Sequence, residues 1–316
     1  MRNGLQAVLM CNGLYTSNRH VSEIFEQKLA YLAGARFGGI VGNAGGGDYQ
    51  INSTLKSVSV RGGATGPSVS AVFREGIGCI VMSPGQGLGY ISALPLLKRP
   101  PNAVNPDTIP WPSGDLVPDE PLPEGINPKA LKAASDWTFN RPIPEEITTG
   151  LIIMYQGKLI HERYAVGFDR HTRTRTWSTA KSIAATLIGI LVDDGRLKPR
   201  EPLDIEWLPA LKKPEVDPRN RITLRHLLNM SSGLYPVDSI NREYTTGSSR
   251  AYWAGASSVK GARDRGLVRE PGTYWDYQNF DTLLAVYAMK LALGGDEIYQ
   301  GFPQRALLDR IGMRAR

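Results

Sequence analysis

Ser178 and Lys181 stand three residues apart, and their side chains together could carry out nucleophilic chemistry on a carbonyl group. The apolar run that follows, residues 182–192, is predicted to be a helix. On one helix, residues three apart share a face, so the lysine amine can reach the serine hydroxyl. That base, and the positive end of the helix dipole, both help a hydroxyl that must lose its proton before it attacks.

The same Ser-x-x-Lys pattern occurs twice more, at Ser53–Lys56 and at Ser257–Lys260. The first copy lies in a strand-like run, where residues three apart point to opposite faces. The second copy runs into residues 261–264, which are too polar for a buried helix. Only the copy at Ser178 begins an apolar helix, so Ser178 is the predicted nucleophile.

In the sequence, this pair is flanked by predicted helices and a predicted hairpin whose ends are marked by capping and turn residues. Gly195 is expected to cap the serine helix, because glycine tolerates the left-handed conformation that commonly ends helices. Alternating apolar residues predict a hairpin before that helix. The predicted elements are strands 151–155 and 159–165 around the turn 156–158, and helices 128–138 (capped by Asn127), 224–230 (capped by Thr223) and 281–293.

The first part of the chain has the pattern of a separate small α/β region. Apolar spacing predicts a helix over 21–33, and strands 55–60 and 68–73 are expected to pair across Gly62-Gly63. Many of the 22 prolines then follow in one segment, which predicts an extended connector. We therefore divide the chain into an N-terminal accessory region (1–92), a proline-rich connector (93–127) and a main domain (128–316).

Composition argues against several classes of function. The 316 residues have an ordinary globular composition and no apolar window long enough to span a membrane. The net charge of +7 fits anionic surfaces or substrates, but no Lys/Arg block with interleaved aromatic residues predicts nucleic-acid binding. The four histidines lack metal-ligand spacing, and the glycine-rich stretches lack a complete nucleotide-binding motif. We therefore expect no cofactor and no metal.

The two cysteines, Cys11 and Cys79, allow two interpretations. They are either buried free thiols or a disulfide that ties the start of the chain to residues 78–80. The sequence supplies no Cβ geometry, so both interpretations stay open. The first eleven residues are a poor signal peptide, because their apolar stretch is too short.

Four stretches of the sequence, taken in order, resemble the serine β-lactamase and penicillin-binding-protein superfamily. Residues 177–182 (Trp-Ser-Thr-Ala-Lys-Ser) resemble its first box, and residues 155–159 resemble the hairpin before that box. Residues 222–234 resemble the helix and loop of its class C-like branch, and residues 271–279 resemble that branch's second box, a Tyr-x-Asn. More loosely, the region with both cysteines resembles relatives of 6-aminohexanoate-dimer hydrolase.

The resemblance implies a role for each of four residues. Ser178 would be acylated, and Lys181 would accept or relay its proton. Tyr277 would be the partner base and later the acid for the leaving group, since a nearby cation lowers the pKa of a phenol. Asn279 would orient Lys181 and the substrate amide, and the backbone N–H of Ser178 would supply half of an oxyanion hole.

A competing second box is present. Ser239-Ile240-Asn241 is a Ser-x-Asn, the form that other branches use, and it follows Ser178 at a plausible distance. The residues around Tyr277 carry the superfamily pattern and those around Ser239 do not. Tyr277 is therefore preferred.

The superfamily's third box, a Lys-Thr-Gly or His-x-Gly, does not occur after the second box. Residues 148–150 and 245–247, both Thr-Thr-Gly, precede the second box and are in the wrong place. The third box would supply the second oxyanion donor, and loss of one donor costs roughly 2.7–4 kcal/mol in the barrier. We therefore expect an incomplete domain without its C-terminal strands, and little or no turnover by the 316-residue chain.

Together these patterns predict an α+β protein with a β-lactamase/transpeptidase-like main domain, an antiparallel sheet flanked by helices. The predicted activity is hydrolysis of a small amide, ester or lactam through an acyl-enzyme on Ser178. The alternatives are a catalytically silent binding module of the same fold and an inactive fragment. A periplasmic or secreted location is expected, with the cytoplasm as the alternative; the substrate and the oligomeric state stay open.

Overall fold

The computed structural model describes residues 1–32, 39–62, 66–83, 85–87, 89–94, 96–97, 105–143, 146–237 and 239–313. Three predicted features fall partly outside them: the helix end at Ala33, the turn residue Gly63 and part of the proline-rich connector. Within the described residues, no helix is long and apolar enough to cross a membrane.

The described part of the chain contains six strands and eleven α-helices. The strands are β1 (Tyr49–Asn52), β2 (Ser57–Arg61), β3 (Ser68–Arg74), β4 (Gly78–Val81), β5 (Gly150–Tyr155) and β6 (Lys158–Tyr164). The helices are α1 (Arg2–Tyr15), α2 (Val21–Glu23), α3 (Gly89–Ala93), α4 (Pro128–Phe139), α5 (Thr179–Asp193), α6 (Leu224–Leu228), α7 (Ile240–Thr245), α8 (Ser249–Ala254), α9 (Ser258–Arg263), α10 (Asn279–Leu293) and α11 (Asp296–Pro303).

By their contacts the residues group into two compact units. The first contains Met1–Lys98 and Arg175–Leu307, and the second contains Arg99–Thr174 and Leu308–Arg316. The N-terminal residues therefore share a unit with the serine helix. The division that the sequence suggests, with boundaries at residues 92 and 127, stays a prediction.

In the first unit, strands β1 to β4 form an antiparallel sheet in sequence order. The predicted pairing of β2 with β3 is confirmed, with Val58 opposite Ala71. Both residues are buried against α1, and Met10 and Cys11 of α1 are fully buried as well. Sequence reasoning assigned no helix to α1, although this helix covers one face of the sheet.

The helix predicted over 21–33 is broken into shorter turns. After α2, a π-helical turn spans Ile24–Lys28 and a 3₁₀ turn spans Ala30–Leu32. The wider π turn bonds the Leu29 N–H to the Ile24 carbonyl, and both side chains are fully buried. A regular 3.6-residue period would rotate residues five apart away from each other, so core packing favours the wider turn.

Cys11 of α1 and Cys79 of β4 form a disulfide. Of the two interpretations left open by the sequence, the structure therefore has the bonded one. The bond ties α1 to the sheet that it covers.

A second core of the same unit packs α10 against α5, α6 and α9. Leu187, Ile188 and Leu191 from α5 meet Leu284 and other buried residues of α10. The predicted serine helix, the capped α6 and the late apolar helix are thus confirmed, and Gly195 follows α5 in the left-handed conformation (φ +71°). This core places the first residues of α5 and α10 side by side.

A buried carboxylate joins α10 to the loop after α6. Asp281, in the first turn of α10, is 1% exposed and accepts a 2.7 Å hydrogen bond from Ser232 Oγ. Burial raises the pKa of Asp281 to about 7, although the bonds from Ser232 oppose that shift. The carboxylate therefore costs stability whenever it is ionised.

The second unit contains α4 and the β5–β6 hairpin. The predicted cap of α4 is confirmed, because Asn127 Oδ1 accepts hydrogen bonds from the N–H groups of Lys129 and Ala130. The predicted hairpin is confirmed as well. It meets α4 through a 2.9 Å ion pair between Arg163 and Asp136.

Reduction of the Cys11–Cys79 disulfide should lower the free energy of unfolding by about 2–4 kcal/mol, because the bond closes a long loop in the unfolded chain. Equilibrium denaturation with and without a reducing agent measures this difference. The Cys79→Ala variant is the control, since reductant should leave its stability unchanged. Equal stability of the reduced and oxidised wild type would contradict the expectation.

Asp281→Asn should remove a pH dependence of stability. The raised pKa means that the folded protein holds a proton that the unfolded chain has already lost, so stability falls as the pH rises from about 4 to about 7. The variant should lose up to about 1.4 kcal/mol per pH unit of this slope. Denaturant titrations across this pH window test it.

Ser232→Ala should extend the pH dependence of stability that Asp281→Asn removes. It removes a hydrogen bond that lowers the Asp281 pKa, so the fall in stability should extend to higher pH. Wild-type and Asp281→Asn proteins with the same slope would rule out this role for Asp281.

Candidate active site

Ser178 is the N-cap residue of α5, and its side chain is exposed. It makes no capping hydrogen bond, so the hydroxyl is not used to hold the helix end. The preceding Trp177 has a φ of +44°, a left-handed conformation that is unfavourable for a bulky residue. Such local strain is found where a side chain must be presented in a fixed direction.

Four predicted site residues lie together at this helix start. Lys181 Nζ lies 3.2 Å from Ser178 Oγ and 2.7 Å from Asn279 Oδ1. The Tyr277 hydroxyl donates a 2.7 Å hydrogen bond to Ser178 Oγ. The structure therefore brings Ser178, Lys181, Tyr277 and Asn279 within contact of one another, although Lys181 and Asn279 are 98 residues apart in the chain.

Two opposing effects set the pKa of Tyr277. Burial raises it, but the hydrogen bonds with Ser178 and Lys181 and the charge of Lys181 outweigh burial, so the pKa lies below its ordinary value. The Lys181 ammonium is 4.9 Å from the centre of the Tyr277 ring. A phenol beside a cation ionises more easily and is a better base near neutral pH.

Residues on either side hold the Tyr277 backbone in place. The Asp276 N–H donates to the Met230 carbonyl at 2.8 Å, and the buried Gln278 side chain accepts a 3.0 Å bond from the Val237 N–H. Gly233 lies in the same loop with φ +75°, and a Cβ there would come within 2.2 Å of the Arg269 carbonyl oxygen. The loop after α6 thus needs glycine to pack closely and support the tyrosine.

A cavity of about 570 Å³ opens beside the Ser178 hydroxyl. Most of its wall is apolar, from Trp177, Trp253, Leu283 and Val286. Its size falls within the range of pockets that bind small organic molecules.

The competing serines have other structural uses. Ser239 Oγ accepts a hydrogen bond from the Arg242 N–H and caps α7, and Ser257 caps α9 in the same way. The residues after Ser257 form the short helix α9, in which Ala262 alone is buried. The argument against Ser53 was wrong in its reason: residues 53–56 form the turn between β1 and β2, not a strand.

The histidines show no metal-binding arrangement. His226, expected to be a structural helix residue, exchanges hydrogen bonds with Thr223 at the start of α6. Burial lowers its pKa. Within the ranges that the structure describes, no group of three or more His, Cys, Asp or Glu residues could hold a metal ion.

Sequence reasoning missed two polar residues that lie directly behind Asn279. Asn279 Nδ2 donates to Ser248 Oγ at 3.0 Å, and Ser248 Oγ donates to Glu243 Oε1 at 2.5 Å. The preceding Thr-Thr-Gly, residues 245–247, drew attention only as a misplaced third box. No local pattern connects Glu243 or Ser248 with a lysine in another helix.

Comparison with known proteins finds a family match and a hydrolase relative. A model of the family described as Beta-lactamase matches residues 144–315, more than half of the chain. The 6-aminohexanoate-dimer hydrolase of Paenarthrobacter ureafaciens is 30% identical over 69 residues, 22% of this chain and 17% of that protein.

Two solved structures are also similar. One, from Bacillus anthracis, is described as a candidate 6-aminohexanoate-dimer hydrolase: 18% identity, TM-score 0.39, covering 50% of this chain and 43% of that one. The other, from Bacteroides dorei DSM 17855, is described as a candidate β-lactamase: 20% identity, TM-score 0.39, covering 59% and 51%. At these TM-scores the two structures support no further conclusion.

The chain spans about half or less of the length of each of these relatives. The family match, by contrast, includes the Ser178 helix, the loop after α6 and the Tyr277 segment. The predicted resemblance and the α+β, β-lactamase-like fold class are thereby confirmed. The chain belongs to the Beta-lactamase family.

Proposed function

We propose that this chain is a serine hydrolase that forms a covalent acyl-enzyme on Ser178. One observation carries the proposal: Ser178 Oγ lies within hydrogen-bond distance of both Lys181 Nζ and the Tyr277 hydroxyl. A nucleophile in contact with a phenol that can take its proton, beside a cation that lowers the pKa of that phenol, is an arrangement suited to nucleophilic catalysis.

Acylation begins when Tyr277, as the phenolate, takes the proton of Ser178. The Ser178 Oγ–carbon bond forms at the substrate carbonyl, and the negative charge moves to the carbonyl oxygen. The Ser178 N–H, at the helix start where amides lack intrahelical acceptors, would donate to that oxygen. The bond to the leaving nitrogen or oxygen then breaks, and Tyr277 returns its proton to the leaving group.

Deacylation repeats the proton transfers with water as the nucleophile. A water molecule gives one proton to Tyr277 as its oxygen attacks the acyl-ester carbonyl. The Ser178 Oγ–carbon bond breaks, and Ser178 recovers the proton from Tyr277. Lys181 keeps the pKa of Tyr277 low during acylation and deacylation, and Asn279 holds Lys181 in position.

The proposed substrates are small amides, esters or lactams. The named relatives support a hydrolase, and the largely apolar cavity beside Ser178 fits a small molecule. The proposed location is the periplasm or the cell exterior, because disulfides such as Cys11–Cys79 persist mainly in oxidising compartments.

Ser178 should form a covalent adduct with an excess of a fluorescent fluorophosphonate. The Ser178 Oγ–phosphorus bond forms, fluoride leaves, and the hydroxyl proton passes to the base. Mass spectrometry and gel fluorescence measure the adduct, and Ser178→Ala should abolish it. Absence of any Ser178-dependent adduct would contradict the proposal and favour a silent binding module; a fluorescent penicillin tests the lactam class separately.

Tyr277→Phe should lower the rate of this labelling by about a hundredfold or more, because it removes the proposed base. Ser239→Ala is the matched control, since Ser239 caps α7 and belongs to the competing Ser-x-Asn. Labelling rates at equal reagent concentration give the comparison. The assignment fails if Tyr277→Phe labels normally while Ser239→Ala does not.

A further inference from the structure

A line of hydrogen bonds runs from Lys181, next to the nucleophile, through the buried Ser248 to the half-buried Glu243. Lys181 Nζ donates to Asn279 Oδ1 (2.7 Å), and Asn279 Nδ2 donates to Ser248 Oγ (3.0 Å). Ser248 Oγ donates in turn to Glu243 Oε1 (2.5 Å). Four side chains from three separate parts of the sequence therefore form one continuous chain.

The two ends of this chain fix its direction. An ammonium group can only donate and a carboxylate can only accept, whereas an amide and a hydroxyl can do both. With Lys181 at one end and Glu243 at the other, every bond between them can run in one direction only. The amide of Asn279 must then present its oxygen to Lys181, and a flipped amide would place NH₂ against the ammonium.

Further hydrogen bonds hold Glu243 at the far end of this line of hydrogen bonds. Glu243 Oε1 also accepts hydrogen bonds from the Ser249 N–H (2.9 Å) and the Ser249 hydroxyl (3.1 Å). Ser248 is 1% exposed, and it does not use its hydroxyl to cap α8 although it is that helix's N-cap residue. The hydroxyl instead joins Asn279 to Glu243, and it also contacts the Tyr252 side chain.

Gly247 lets the carboxylate approach this closely. A Cβ at residue 247 would lie 2.4 Å from Glu243 Oε2 and 2.5 Å from Glu243 Cα. Any side chain there would displace Glu243, so the turn between α7 and α8 is shaped around the carboxylate.

We propose that Ser248 and Glu243 are positioning residues that lock the Asn279 amide and thereby hold Lys181 against Ser178. This inference rests on the proposed acyl-enzyme chemistry and extends it beyond the Ser-x-x-Lys and Tyr-x-Asn boxes. Neither residue touches Ser178. Both act through Asn279.

The test compares three serine variants. Ser248→Ala interrupts the line of hydrogen bonds and should lower the rate of fluorophosphonate labelling about tenfold, the effect of losing one hydrogen bond near a charge. Ser248→Thr keeps a hydroxyl and should restore most of that rate. Ser249 is also buried and bonds to Glu243 but not to Asn279, so Ser249→Ala should change the rate less than about twofold.

A spectroscopic measurement makes the test independent of activity. The side-chain amide signal of Asn279 in a ¹⁵N–¹H spectrum, identified by its absence from Asn279→Ala, should shift and exchange faster in Ser248→Ala. Ser248→Thr should return it toward the wild-type position, and Ser249→Ala should leave it in place. Melting temperatures of all variants report any general loss of structure.

The outcomes separate this inference from the proposed function. An Asn279 signal that Ser248→Ala leaves unchanged overturns the inference, as does labelling that falls equally in Ser248→Ala and Ser249→Ala. A wild-type chain without a Ser178-dependent adduct refutes the proposed function. In that case the Asn279 signal alone decides whether Ser248 positions the amide.

Discussion

The Lys181 ammonium is the group on which the arrangement of this site depends. It meets a hydroxyl, an amide oxygen and an aromatic ring, from Ser178, Asn279 and Tyr277. All three partners are uncharged, so they satisfy the ammonium without cancelling its charge. The full positive charge therefore acts on the Tyr277 phenol and lowers its pKa against the opposing effect of burial.

Helix packing supplies the geometry that this cation needs. Ser178 precedes α5 and Asn279 begins α10, so two helix starts meet at the site. The positive ends of both helix dipoles add to the field of Lys181 and favour negative charge on Tyr277 or on a substrate oxygen. The apolar core between α5 and α10 maintains this meeting, because sliding either helix would expose buried leucines and isoleucines to water.

Two carboxylates support the site: Asp281 is buried, and Glu243 is half-buried and lines the cavity beside Ser178. Asp281 ties α10 to the loop after α6, and Glu243 anchors the turn before α8. A buried carboxylate is costly unless hydrogen bonds surround it, so each fixes the backbone that supplies its donors. Rigid support of this kind keeps side chains in place in a site where Ser178 and Tyr277 are exposed.

The sequence by itself determined the local elements and the chemical types of the site residues. The caps at Asn127 and Thr223, the β2–β3 pairing and the serine helix follow from neighbouring residues, whose preferences act over a few positions. The boxes around Ser178 and Tyr277 also identified the family. The π turn after α2, in contrast, follows from core packing that no short pattern records.

Only the tertiary structure decided which polar groups meet. It joined Cys11 to Cys79, turned Ser239 into a helix cap and placed Ser248 and Glu243 behind Asn279. The cap and the Ser248–Glu243 bond are local, whereas the Cys11–Cys79 and Ser248–Asn279 contacts link residues whose separation is set by the packing of whole helices and strands. Hydrogen bonds act over about 3 Å, so a sequence can name the groups but only the folded core brings them within that distance.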